Sequence, residues 1–119
     1  MRVFEQLLFD QTISGTSDTW YTPDEYSDLL GAADVLELAV HTTNVTGTAE
    51  ATVTMQHSAD GRHWNDIGDV HSGSISSNRV SRGSAGLNPA NLSLVRLKVT
   101  LGGTDPQCRM KLYAMGRVT

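Results

Sequence analysis

Apolar residues recur at every second position in four separate runs, and that alternation constrains the fold more than any other feature of the chain. "VLELAVHT" sets Leu36, Leu38 and Val40 on one face and Glu37, Ala39 and His41 on the other. "ATVTMQH" sets Ala51, Val53 and Met55 against Thr52, Thr54 and Gln56. Near the C-terminus, "LVRLKVTL" alternates Val95, Leu97, Val99 and Leu101 with Leu94, Arg96, Lys98 and Thr100, and "CRMKLYAMG" alternates Cys108, Met110, Leu112 and Ala114 with Arg109, Lys111, Tyr113 and Met115. A repeat of two is the side-chain period of a strand with one buried face. Folding the first pair back about "NVTGTA" places Val40 opposite Val53 and Leu38 opposite Met55. Folding the second about "GGTDPQ" places Leu97 opposite Leu112 and Val99 opposite Met110. Each hairpin gathers its apolar residues on one side. Two such hairpins at the centres of facing sheets predict an all-β protein, an antiparallel β-sandwich of jelly-roll type.

The other segments complete that expectation. "RVFEQLLF" reads either as an edge strand or as an extended arm, which divides the chain into residues 1–20 and a single β-sandwich domain over 21–119. "TPDEYSDLLG" offers a capping Thr22, Pro23 at the first helical position, Glu25 three residues after the cap and Gly31 as terminator, and so predicts one short helix near residues 23–30. Residues 71–93, rich in Ser, Gly and Asn, read as a long surface excursion with one short strand near Val80. At 119 residues the chain is expected to bury roughly two-thirds of its unfolded surface without metals or disulfides. No segment approaches the ~20 apolar residues of a membrane-spanning helix.

Cys108 stands alone, so no intramolecular disulfide is possible, and "MRVFEQLLFDQ" lacks the apolar run and cleavage site of a signal peptide. Synthesis in a reducing cytosol is the expectation. The sequons at Asn44 and Asn91 are then chance matches.

"MQHSADGRHWNDIG", residues 55–68, gathers two histidines, two aspartates, an arginine and a tryptophan about an Asp-Gly step. Asp60-Gly61 between two strands predicts a tight hairpin whose central residues need positive φ. His57 and His63 make half of a tetrahedral metal set, and Asp60 and Asp66 would have to bend in to complete it, so no metal is expected. Trp64 is expected to cap the core, with its indole N–H bonded at the rim. Cys108, inward on a strand, reads as a small buried thiol. Asp24, Glu25 and Asp28 read as acids of a helix's first turn. With no phosphate loop, no His-x-x-x-His pair and no nucleophile elbow, neither an enzyme nor a cofactor is expected.

Charge is polarised along the chain. Residues 1–50 carry nine acids and one base (1 − 9 = −8), residues 51–119 eight bases and four acids (8 − 4 = +4), for a net −4. In the C-terminal hairpin register Lys98 falls opposite Lys111, flanked on the outward face by Arg96, Arg109 and Tyr113. Like charges in that arrangement repel, so an acid should lie close by. It can come from a neighbouring strand such as the one bearing Glu37, from another subunit, or from nucleic acid, against which the net negative charge argues.

The pattern "HSADGRHW" followed by "RLKVTLGGTDP" resembles a group of small β-sandwich virion structural proteins of tailed phages and prophages. The likeness spans about residues 33–116 and rests on His57, Ser58, Asp60, Gly61, Trp64, Arg96, Gly102, Gly103, Thr104 and Pro106. It implies a non-enzymatic protein that binds and stabilises a phage-like capsid, a decoration or cement protein assembled in the bacterial cytoplasm and carried on the virion surface. The partners would be capsid or other assembly subunits and further copies of the chain, such as a trimer. Expected contacts are the N-terminal apolar residues Phe4, Leu7, Leu8, Phe9 and Trp20, together with Tyr21, Arg96, Lys98, Arg109 and Lys111. Two alternatives stay open: a tail accessory protein, and a carbohydrate-binding or adhesive module using Trp20, Tyr21 and Trp64 with Asn78 or Asn88.

Overall fold

The computed structural model describes residues 2–33, 35–76, 79–83 and 94–118. Six strands and one short helical segment follow in the order β1 (Arg2–Ser14), β2 (Thr19–Tyr21), a 3₁₀ turn (Asp24–Tyr26), α1 (Ser27–Ala32), β3 (Val35–Ser58), β4 (Asn65–Ser74), β5 (Arg79–Gly83) and β6 (Leu94–Val118). The chain is antiparallel and nearly all β, as the alternation predicts. Its strand order is compatible with a sandwich, without marking the jelly-roll connectivity in particular.

The two expected hairpins do not form. β3 and β6 each run straight through their expected turns and pair with one another from Val35↔Arg117 to Ser58↔Leu94. Val40 therefore meets Leu112, Leu38 meets Ala114, Val53 meets Val99 and Met55 meets Leu97. The inward residues are even-numbered in the first half of β3 (36, 38, 40) and odd-numbered in the second (49, 51, 53, 55), and β6 makes the reverse change. Such a change of phase can be made by a turn or by a bulge. Here it is a bulge in both strands, with register shifts between Thr43 and Thr48 and positive φ at Asn44, Gly47, Gly103 and Asp105.

The long two-stranded ribbon thus bends at its middle and turns a single apolar face inward along its length. One half is flanked by β1 on β6 and β5 on β3, the other by β2 on β6 and β4 on β3. Strands that bend from one layer into the next are a known way to join the two sheets of a sandwich. Both halves feed one core, which includes Leu38, Met55, Val70, Leu97, Met110 and Leu112.

β1 pairs with β6 from Arg2↔Val118 to Ser14↔Gln107, interrupted by a bulge between Leu7 and Phe9. The bulge turns two successive side chains inward, so Leu8 and Phe9 are both buried. These two residues are core, and the structure removes them from the expected contact set. Phe4 packs partly buried against the core, and Leu7 is 38% exposed.

The expected helix is present, but its cap is not. Thr22 is buried, its Oγ1 accepts the Leu97 N–H at 3.0 Å, and its own N–H donates to Leu97 O at 3.0 Å. A hydroxyl that ties the segment to β6 is not available to the first turn. The helix also runs through Gly31 to Ala32. The short strand near Val80 is β5, paired with β3 at Val40↔Ser81. Within the 71–93 excursion, residues 77–78 and 84–93 lie outside the described residues, and so do Asn78 and Asn88.

Candidate functional site

The turn joining β3 to β4 is built by one carboxylate. Ser58 Oγ accepts from the N–H groups of Asp60 and Gly61, and Asp60 Oδ1 accepts from Arg62 N at 2.8 Å and His63 N at 2.9 Å. His63 Nδ1 lies 2.7 Å from Asp60 Oδ2. Gly61 has φ +78, but Asp60 does not take positive φ, so the connection is a six-residue loop over 59–64 and not the expected two-residue turn. Asp60 acts by hydrogen bonding.

His63 donates to Asp60 at the loop, while His57 pairs in register with Asn65 and Val95 on the strands. Among the described residues no group of three or more His, Cys, Asp or Glu side chains is gathered to hold a metal. Trp64 Nε1 donates to Gly61 O at 3.3 Å, but the ring does not cap the core as expected: it is not among the apolar side chains packed against it and lies against the Arg96 guanidinium instead.

The backbone N–H of His63, then its imidazole and the Arg62 N–H, hold the Asp60 carboxyl far below the usual carboxylate range. In return, the hydrogen bond and charge of Asp60 raise the His63 pKa above 6.5. A lowered carboxylate stabilises the fold above its ordinary pKa and loses that contribution as pH falls through the lowered value. A raised histidine stabilises it below its ordinary pKa and loses that contribution as pH rises through the raised value. A proton NMR titration of His63 should therefore give a midpoint above 6.5, and Asp60→Asn should bring it back toward 6.5. An unchanged midpoint in the variant would exclude the pairing.

Beyond the turn, the outward face of the layer formed by β2, β6, β3 and β4 carries a connected polar row. The Arg96 guanidinium lies between two aromatic rings, 4.0 Å from the Tyr21 centroid and 4.2 Å from that of Trp64. Its Nε donates to Gln56 Oε1 at 2.8 Å, Gln56 Nε2 donates to Asp66 Oδ1 at 2.8 Å, and Lys98 Nζ stands 3.7 Å from the same oxygen. The Gln56 amide and then Lys98 lower the Asp66 pKa. Gln56 is only 6% exposed, so the amide that links Arg96 to Asp66 is nearly dry. Trp20, next to Tyr21 on β2, packs inward against the core instead.

The expected confrontation of Lys98 with Lys111 does not occur, because it assumed the C-terminal hairpin. Lys98 lies opposite Thr54 and Tyr21, whereas Lys111 lies opposite His41 and Asp10 in the other half of the ribbon. The acids come from neighbouring strands of the same chain. Arg109 donates to Asp10 through Nε and Nη2, both at 3.0 Å, and this pairing lowers the Asp10 carboxyl and raises Arg109. Asp66 of β4 serves Lys98. Of these pairs, Asp10–Arg109 joins an acid of the first half to a base of the second, whereas Asp66–Lys98 lies within the second half. Cys108 is fully buried, and burial pushes its thiol pKa up.

Sequence reasoning named Tyr21, Trp64 and Arg96 separately and missed that they stack. The signal was present in principle: Tyr21 and Arg96 sit two residues apart across paired strands once β2 is placed on β6. That pairing is not visible in a three-residue strand. Comparison of the chain with family models, curated proteins and solved structures gives no match. What the surface can do is accordingly argued from its own chemistry.

Proposed function

We propose that the chain is a non-catalytic structural subunit that decorates a phage-like shell and attaches through β1. The observation that carries this reading is the edge itself. β1 is a 13-residue terminal strand of the sheet whose only strand partner among the described residues is β6. Strands average 5–6 residues, and a long open edge is a ready template for pairing with another chain. Along it Val3 is 74% and Leu7 38% exposed, an apolar lining that an isolated protein would gain by hiding. Strand addition to a shell subunit or to a second copy would satisfy both the backbone and these side chains.

The resemblance to virion β-sandwich proteins supports the same reading. Its residues here perform structural tasks: Ser58, Asp60 and Gly61 build the turn, and Gly103 and Thr104 lie in the bend. They carry the fold, and β1 carries the attachment. Because Arg109 and Lys98 are paired within the chain, docking through β1 is expected to resist salt that would screen a charge-driven contact.

Particles banded by density from the cells that encode the chain should contain it in stoichiometric amount. A Val3→Lys/Leu7→Lys double variant should stay folded and be lost from the particles. Particles without the chain, or with the double variant retained in full, would overturn the reading.

A further inference from the structure

Lys98 and Arg109 each have an aspartate partner, whereas Arg96 lies within ion-pair distance of no carboxylate among the described residues. What holds it is neutral: the Tyr21 and Trp64 rings at 4.0 and 4.2 Å, and Gln56 Oε1, which accepts from Nε at 2.8 Å. The two Nη groups make no hydrogen bond among the described residues. No arginine nitrogen there is both buried and unpaired, so these donors reach solvent. Each holder is itself fixed. Gln56 is nearly buried and bonded on its far side to Asp66, Trp64 is tied to Gly61 O, and Tyr21 sits on β2, which Thr22 anchors to β6. A long side chain that elsewhere loses rotamer freedom on binding is here ordered beforehand.

We propose that Arg96 is the receptor for an Asp or Glu carboxylate of a partner protein, bound by its Nη1 and Nη2 groups while Tyr21 and Trp64 take up the adjoining apolar atoms. A guanidinium offers parallel N–H donors that match the two carboxylate oxygens, and charge-assisted bonds of this kind are about twice as strong as neutral ones. The rings cover the sides of the group and Gln56 covers Nε, so the approach left open is the Nη end, which suits a flat, singly charged ligand. A phosphate or a nucleic-acid backbone fits less well. Asp66 stands one amide away, Asp24 shares a cleft with Trp64, and Lys98, the neighbouring cation on β6, already pairs with Asp66. Tyr, Trp and Arg are also the residues enriched at the energetic centres of protein interfaces, and Tyr21 is 42% exposed. The surface lies in the layer of β2, involves no residue of β1, and stands or falls independently of the attachment proposed above.

The test is an NMR titration of the isotope-labelled full chain, followed at the Arg96 Nε–H and Trp64 indole N–H signals. The probes are the peptide acetyl-Gly-Leu-Glu-Leu-Gly-amide and its counterparts with Gln or phosphoserine in place of Glu. The Glu peptide should shift both signals, with a dissociation constant on the order of 1 mM for so small a contact, and the Gln peptide should shift neither. Added salt should weaken the binding, because the pair is solvent-exposed. Arg96→Lys keeps the charge but loses the fork, and should weaken binding roughly tenfold, the worth of one charge-assisted hydrogen bond. Tyr21→Ala, at an exposed position, should stay folded and also bind more weakly. Should Arg96→Lys fail to fold, Tyr21→Ala and the Gln peptide decide the matter. The proposal is overturned if the Glu peptide moves neither signal, if the Gln peptide moves them equally, if the phosphoserine peptide binds more tightly than the Glu peptide, or if Arg96→Lys or Tyr21→Ala binds as well as the parent.

Discussion

Gly103→Ala is expected to destabilise the protein by at least ~4 kcal/mol, in the exceptional range for a single substitution, and to leave little folded chain in urea titrations. Gly103 sits at φ +99 in the bend of β6, and a methyl group there would overlap Thr48 O on β3. The obstruction is backbone, which cannot swing aside as a side chain does. Gly47, at φ +74 on the opposite strand, meets the same obstacle at Asp105 O, so Gly47→Ala should behave alike. The control is Gly15→Ala. Its φ is +85, but nothing lies within 4 Å of an added Cβ, so only the conformational cost of about 1–2 kcal/mol applies. If Gly103→Ala cost no more than Gly15→Ala, the close crossing of β3 and β6 at the bend would be wrong. Asn44 and Asp105 take the other two left-handed positions there, as residues whose short polar side chains tolerate it.

The same bend explains how far the sequence could be read. Alternation placed the apolar residues it named on the two long strands inward correctly, from Leu36, Leu38 and Val40 to Met110, Leu112 and Ala114, because facing is a local property fixed by the pleat; it missed Ala49 and set outward Ala39, Thr54 and Gln56, which are buried all the same. It could not identify their partners. Val40 is satisfied equally by Val53 in a hairpin and by Leu112 in the ribbon, and the change from even to odd positions is produced equally by a turn or by a bulge. The Gly-Thr steps at Gly47-Thr48 and Gly103-Thr104 suit both. The choice is made by non-local contact, in this case the close approach of Gly47 and Gly103 to the opposite strand. From that one misplacement followed the false opposition of Lys98 and Lys111.

The candidate site was legible residue by residue and not as an arrangement. Asp60-Gly61 announced its loop through turn chemistry, and Trp64 its need for a rim partner. Thr22 announced a cap and instead anchors the segment to Leu97, because a tertiary acceptor role outcompeted the local one.

Removal of β1 is expected to abolish cooperative folding, which settles whether the N-terminal segment is an appendage or part of the domain. Deleting residues 1–14 would take Leu8, Phe9 and Ile13 out of the core and strip β6 of one of its two neighbouring strands from Gln107 to Val118, leaving it paired with β3 on the other side. Phe9→Ala alone should cost about 3–5 kcal/mol, the range for truncating a buried aromatic. Total stabilities of small domains are about 5–15 kcal/mol, so that one change consumes a large share. Leu7→Lys, two residues away but on the exposed side of the bulge, should change stability by no more than about 0.5 kcal/mol. Denaturant unfolding and light scattering on the same variants separate the two roles of the strand. Phe9→Ala should shift the unfolding midpoint without altering the mass of the folded protein, and Leu7→Lys combined with Val3→Lys should leave the midpoint in place and remove any self-association. If the deletion folded well and Phe9→Ala were silent, β1 would be a detachable arm, and attachment through an open sheet edge would give way to attachment through a free segment.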